Sequence, residues 1–238
     1  LVGSEMCIRD SSKDVVSRMI AGKLTAKQAY QNFNAQLLTE KTTTDETVLT
    51  SGKSYSNVFH KKGGSASFSV MANTLRGVYG TDVLIAAANS FTGSVLRADY
   101  TKKMAVSMIM PNGLMAYQRT MTGAELKETL RAFVEGCEGG FVPFNRGSLP
   151  VASGITMEVK EAGGSYTLTG ITRNGQPLRE DDTLTVTCLA TTKQMTAVFA
   201  DESRTVTDEG TWVKDAWRDY VSGGGAALAE PENYMTLR

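Results

Sequence analysis

Met121-Thr122-Gly123-Ala124-Glu125-Leu126-Lys127-Glu128-Thr129-Leu130 opens a helix in the middle of this 238-residue chain. Thr122 is placed to cap it and Glu125, three residues on, to reach back, the two halves of a capping box. Beyond the cap, Leu126, Leu130, Phe133 and Val134 recur at the spacing of one helical face, and Gly136 closes the run. Upstream, Leu114 to Arg119 alternates as a strand; downstream, Ile155 to Lys160 and Tyr166 to Arg173 alternate likewise, and Asn174-Gly175 supplies a tight turn. Thr183 to Ala190 is a further strand.

Working further outward, Phe68, Met71, Leu75 and Val78 share a helical face that stops at Gly80. The following run, Val83-Leu84-Ile85-Ala86-Ala87-Ala88, is apolar without alternation, as in a central strand covered on both sides. Met104 to Met110 reads as a helix ended by Pro111-Asn112-Gly113, and Lys193 to Ala200 and Trp212 to Val221 read as the last two helices. Strands and helices interleave, which predicts a mixed α/β domain over residues 53–238. Ahead of it, residues 11–38 form a predicted helical hairpin or the tail of an upstream domain, and Thr-rich residues 39–52 read as a polar linker. Leu1 to Asp10 has neither helical nor strand period and reads as translated sequencing adapter, so it is set aside.

Composition narrows the function. Twenty-five basic residues balance 25 acidic ones, so no polybasic field attracts nucleic acid or anionic lipid. No apolar run approaches the roughly 20 residues of a membrane span. There is a single histidine, His60, in the basic stretch Phe59-His60-Lys61-Lys62-Gly63-Gly64, and it is expected in an exposed loop. Three cysteines, Cys7, Cys137 and Cys188, have no zinc-type spacing. Metal-assisted hydrolysis would therefore need an all-carboxylate site within this chain. Cys137 and Cys188 are either isolated thiols, the favoured reading because Cys188 alternates with strand core positions, or one bridge.

The succession of a helix, Thr81-Asp82-Val83-Leu84-Ile85-Ala86-Ala87-Ala88-Asn89-Ser90, Pro111-Asn112-Gly113, a strand, the Thr122 to Leu130 helix start, Gly139-Gly140-Phe141, Ser153-Gly154-Ile155, Asn174-Gly175-Gln176-Pro177-Leu178 and Asp182-Thr183-Leu184-Thr185-Val186 resembles the C-terminal domain of the 5′-nucleotidase family. The resemblance covers nearly all of residues 65–190. It implies a mixed sheet with flanking helices that recognises substrate, while two divalent metal ions sit in an N-terminal metallophosphoesterase domain and no cofactor is bound by this part. It also implies a nucleotide or nucleoside-like ligand, an upstream catalytic domain of the same polypeptide as partner, and export to the cell wall, periplasm or exterior.

The family's first strand leads into an Asn-x-Gly-Gly-x-Arg loop whose arginine pairs with the anionic end of the substrate, a task suited to a planar fork of donors. Here the loop reads Asn89-Ser90-Phe91-Thr92-Gly93-Ser94-Val95-Leu96-Arg97. Asn89, Phe91 and Arg97 are its candidate contacts, with Arg97 in register only across a gap. An aromatic pair clamps the base in the family; Phe141 and Phe144 are the candidates for one ring, with Asn145 and Arg146 for polar edges. The family's second aromatic loop is absent, leaving Met195 or Phe199 as stand-ins. Two other readings remain: a non-catalytic cell-envelope module that kept the fold and lost the nucleotide site, and a self-sufficient hydrolase using Asp181-Asp182 or Asp201-Glu202.

Overall fold

A computed structural model describes residues 46–110, 114–136, 149–190, 211–224 and 226–238. The expected hairpin over 11–38, the helix over 193–200, the turn at 111–113, and Cys7, Cys137, Phe141, Phe144, Asn145, Arg146, Met195, Phe199, Asp201 and Glu202 lie outside these residues.

The capping box behaves as the sequence requires. Thr122 accepts the backbone N–H of Glu125, and the Glu125 carboxylate accepts that of Thr122 at 2.8 Å, starting helix α3 (Gly123–Glu135). Two earlier helices, α1 (Ala66–Tyr79) and α2 (Lys102–Val106), begin at Ser65 and Thr101, whose hydroxyls cap them in the same way, and α1 ends on a left-handed Gly80. Helix α4 (Val213–Ser222) is the last.

The central sheet has five strands in the order β12-β6-β11-β4-β7: β4 (Val83–Ala86), β6 (Met115–Thr122), β7 (Val151–Ser153), β11 (Thr183–Ala190) and β12 (Thr211–Trp212). Only β4 and β11 run parallel, with Val186 opposite Val83 and Leu189 opposite Ala86. Every side chain of β4 is buried, as the unalternating apolar run predicts. A second sheet, β10-β9-β8-β13, comprises β8 (Thr156–Ala162), β9 (Ser165–Arg173), β10 (Gln176–Pro177) and the C-terminal β13 (Met235–Leu237), which joins β8 in parallel. The β9–β10 turn is Asn174-Gly175, with φ of 52° and 77°; two left-handed residues in succession match the twist of a hairpin. Helix α1 packs on β4 and β7, and α3 bridges the sheets by resting on β6 and β9. Two short ribbons complete the fold: β1 (Thr47–Ser51) with β5 (Ala98–Thr101), and β2 (Phe59–His60) with β3 (Gly64–Ser65).

Two expectations are corrected. Residues 47–51, assigned to the 39–52 linker, are a strand; Leu49 is buried and opposes Tyr100. A Thr-rich strand whose partner lies some 50 positions away carries no local period, and Thr is a good strand former at such a ribbon. The helix expected over Met104 to Met110 is shorter and earlier. It ends at Ser107, and Ile109 instead bridges the main chain of Phe91.

Candidate functional site

Because β4 and β11 are parallel and β6 and β7 oppose them, four connections emerge at one end of the central sheet. Ala86 faces Leu189 on one side and Val151 on the other, and Ala190 faces Met115. The carboxyl ends of parallel strands are where open α/β sheets offer a ligand a crevice, since the connections part there. At this end the chain leaves β4 through a single 3₁₀ turn, Ala88–Ser90, which carries the backbone of Asn89.

Of the other residues read from the same loop, one is buried in the core and one lies away from both cavities described below. Phe91 is 4% exposed; its ring leans on that of Phe68 at a centroid distance of 6.0 Å. It belongs to the core, so its expected role as a substrate contact is corrected: a ring already surrounded by its own chain has no free face to stack. Arg97 lies exposed just before β5, and its backbone N–H is held by the Ser54 hydroxyl at 2.8 Å. It lines neither of the cavities described below. Ser90, in the same turn, carries no signal in the sequence pattern. Its side chain is buried, and its hydroxyl has no hydrogen-bond partner among the described residues, an arrangement that folded proteins seldom leave standing.

Beside the turn is a cavity of about 290 Å³ lined by Phe59, Ser65, Phe68, Ala88, Leu149, Tyr166, Tyr234 and Leu237. Four separate elements deliver its rings: Phe59 from β2, Phe68 from the first turn of α1, Tyr166 from β9, and Tyr234 from the residue preceding β13. Tyr234 and Ser65 are almost completely buried, whereas Phe59, 42% exposed, stands at the surface. The Tyr234 hydroxyl accepts the backbone N–H of Ser65 at 2.9 Å, and burial pushes its pKa up to about 12, so it keeps its proton throughout the physiological range. Among the described residues no charged side chain lines this cavity.

A second cavity, of about 270 Å³, lies at the opposite end of the sheet, where Asp82 leads into β4 and Gly154 follows β7. It is polar, but its charges are already matched. Arg173 donates to Asp82 at 2.6 Å and Arg76 to Glu232 at 3.3 Å, while Asp82 also accepts the Thr185 N–H at 2.9 Å. The Thr185 backbone N–H is the leading cause that holds the Asp82 carboxyl below its usual range, with its hydroxyl and Arg173 assisting and burial opposing. This cluster ties α1, β4, β9 and β11 together.

The acidic pair Asp181-Asp182 is an exposed turn closed on Arg179, whose guanidinium donates to both oxygens of Asp181 and whose backbone N–H donates to Asp182. His60 is exposed on β2. Among the described residues no group of three or more His, Cys, Asp or Glu could hold a metal ion. No helix among these residues is long and apolar enough to cross a membrane.

Several solved structures share this architecture. A 5′-nucleotidase precursor from Thermus thermophilus superposes with a TM-score of 0.60 at 12% identity, covering 90% of this chain and 43% of that one. The chain has the fold of the 5′-nucleotidase C-terminal domain. The same 5′-nucleotidase C-terminal fold appears in the NAD nucleotidase of Haemophilus influenzae (TM-score 0.58, 17% identity, 91% of this chain and 42% of that one) and in the Thermus thermophilus sulfate thiohydrolase SoxB (TM-score 0.60, 14% identity, 91% and 40%). This chain therefore spans about two fifths of the length of these proteins. Neither a family model nor a curated protein matches the sequence. Two of these three structures are named for nucleotidases and the third for a sulfate thiohydrolase, so the fold by itself leaves the ligand to be argued from the site.

Proposed function

We propose that this chain is the substrate-recognition part of a 5′-nucleotidase-like phosphoesterase that hydrolyses nucleotides or related phosphate esters. In this reading two divalent metal ions belong to an upstream catalytic domain of the same polypeptide, where they activate water and polarise the phosphoryl group. The residues of this chain hold the organic part of the substrate and present its phosphate, and an exported location goes with that role. Asn89, on the turn that leaves β4, is the first contact on this reading; Phe141, Phe144, Asn145 and Arg146 are proposed contacts from the segment preceding Leu149.

The observation that carries the reading is the position of the aromatic cavity. In a 5′-nucleotidase C-terminal fold, it adjoins the Ala88–Ser90 turn at the carboxyl end of the β4–β11 pair, and Leu149, one of its walls, leads into β7. A ring-lined recess with no charged side chain among the described residues at its wall, beside a polar turn, suits a ligand with a flat apolar end and a polar remainder. The protein is titrated with AMP, UMP and their nucleosides while its melting temperature is followed. A saturable rise with a nucleotide supports the recognition role. No rise with any of them contradicts it and favours the alternative, a binding module of the cell envelope without a nucleotide site.

A further inference from the structure

We infer that the cavity lined by Arg76, Asp82, Arg173 and Glu232, at the end of the sheet away from the Ala88–Ser90 turn, is a binding site for a small zwitterion that carries both a carboxylate and an ammonium, as a free amino acid does. The site is separate from the nucleotide reading, because no residue of its wall belongs to the aromatic recess.

The first observation is the sum of the charges. Two guanidinium groups and two carboxylates stand at the wall of one space of about 270 Å³, below the roughly 300–1,000 Å³ of pockets that take drug-sized ligands. A phosphate or other bare anion placed there meets Asp82 and Glu232 with like charge, and a bare cation meets Arg76 and Arg173 in the same way. A molecule with both signs and no net charge gains an attraction at each end without adding that repulsion.

The second is that the charges are matched while the hydrogen bonds are not. Asp82 is saturated: one oxygen accepts Arg173 at 2.6 Å, and the other accepts the Thr185 N–H at 2.9 Å and the Thr185 hydroxyl at 2.8 Å. Arg173 gives that one bond alone. Its Nε and Nη1 donors have no acceptor among the described residues, although the side chain is only 33% exposed. Glu232 is held by long bonds only, from Arg76 at 3.3 Å and from the Gly154 N–H at 3.4 Å, so its carboxylate keeps lone pairs for a stronger donor. A ligand carboxylate fits the idle edge of the Arg173 fork, and a ligand ammonium fits Glu232.

The third is that the surrounding groups are anchored in advance. The Nε of Arg76 donates to the buried Ser153 hydroxyl at 2.7 Å. Glu232 is fastened at its main chain, where its N–H donates to the Ser69 hydroxyl at 2.7 Å and its carbonyl accepts from the same hydroxyl at 2.8 Å. Groups already held in place lose little freedom when a ligand joins them.

Backbone amide shifts are followed by NMR while the wild type, Glu232→Gln and Arg173→Lys are titrated with glycine, L-alanine, L-glutamate and L-lysine, and with acetate and ethylammonium at matched ionic strength. Circular dichroism is the control for folding. At least one amino acid is expected to give saturable shifts at Gly154, Asn174 and Asn233, with acetate and ethylammonium at least about tenfold weaker. Glu232→Gln removes the partner of the ammonium, and Arg173→Lys keeps the charge beside Asp82 but loses the planar fork; each should weaken that amino acid about tenfold or more. If Arg173→Lys does not fold, Glu232→Gln decides. The inference is overturned if none of the amino acids gives saturable shifts there, if acetate binds as well as the best of them, or if either folded variant binds as the wild type does.

Discussion

The Tyr234 hydroxyl accepts the backbone N–H of Ser65 at 2.9 Å, joining positions 169 residues apart. One contact thus fastens the C-terminal strand β13 to the N-cap of α1 and seats the same phenol at the floor of the aromatic cavity. Gly64, immediately before the cap, makes the approach possible. Its φ is +78°, and a Cβ placed there would lie 2.2 Å from the Tyr234 ring. Gly64→Ala combines left-handed strain with a clash against a buried ring, so it should cost about 2–4 kcal/mol in urea unfolding. A loss under about 0.5 kcal/mol, the scatter of surface substitutions, would show that the strand and ring are free to shift.

Asp82 sets a pH dependence. Its carboxyl is held below the ordinary value, first by the Thr185 backbone N–H and then by the Thr185 hydroxyl and Arg173. A depressed folded pKa contributes stability that is fully present above the unfolded value, near about pH 4, and is lost as pH falls through the lower folded value. More than a third of the side chain is exposed, so solvent screening trims the contribution to about 1 kcal/mol at pH 7. Asp82→Asn should lose that amount at neutral pH, and the gap from wild type should shrink below about pH 4. Urea midpoints between pH 7 and pH 2.5 check it; a gap independent of pH would contradict the assignment.

Much of this fold is written locally and some of it is not. The Thr122–Glu125 box, the Gly80 stop and the Asn174-Gly175 turn each depend on residues within a few positions of one another, and each element sits where the pattern puts it. The apolar run at Val83 to Ala86 announces a doubly covered strand because burial on both faces abolishes alternation. Strand β1 gave no such notice, since its reason for existing is a partner at Ala98–Thr101. The short β13 is equally silent, as it is defined by parallel pairing with Met157–Val159.

The candidate site shows the same division. The turn bearing Asn89 was legible as the end of a strand, whereas Phe91, two residues on, points its ring at Phe68 and the core. Phe68 itself was legible only as one member of a helical stripe. Nothing in a linear pattern says that Phe59, Phe68, Tyr166 and Tyr234 meet, because the meeting is made by four elements spread over 176 positions, from 59 to 234.

Trp217 is the largest fully buried side chain among the described residues, and its indole N–H donates to the Ala105 carbonyl at 2.7 Å, pinning α4 on α2. Trp217→Phe leaves that carbonyl without this donor and a void beside it, at a cost of about 2–3 kcal/mol. Trp212, by contrast, is 48% exposed. Trp212→Phe should therefore retain blue-shifted native emission, and Trp217→Phe should retain only the red-shifted signal. The reverse pattern would contradict the placement of α4.

Cys188 is a free thiol completely buried in β11, and desolvation pushes its pKa up to about 12. In a Cys7→Ser, Cys137→Ser background, a disulfide reagent at pH 8 should leave the native protein unmodified and label one thiol on denaturation. Linkage runs in the opposite sense to Asp82. A raised folded pKa contributes stability that is intact below about pH 9 and is lost as pH climbs toward 12, where the unfolded thiol ionises first. Rapid native labelling would show that β11 opens to solvent.

The most direct test of the central claim is an NMR titration with AMP, read by where the backbone amide shifts fall. Saturable shifts are expected to cluster at Ala88–Ser90, Phe59, Phe68 and Leu149, at the carboxyl end of the β4–β11 pair. Shifts confined to Asp82, Gly154 and Asn174 at the opposite end, or no shifts at saturating AMP, would contradict it.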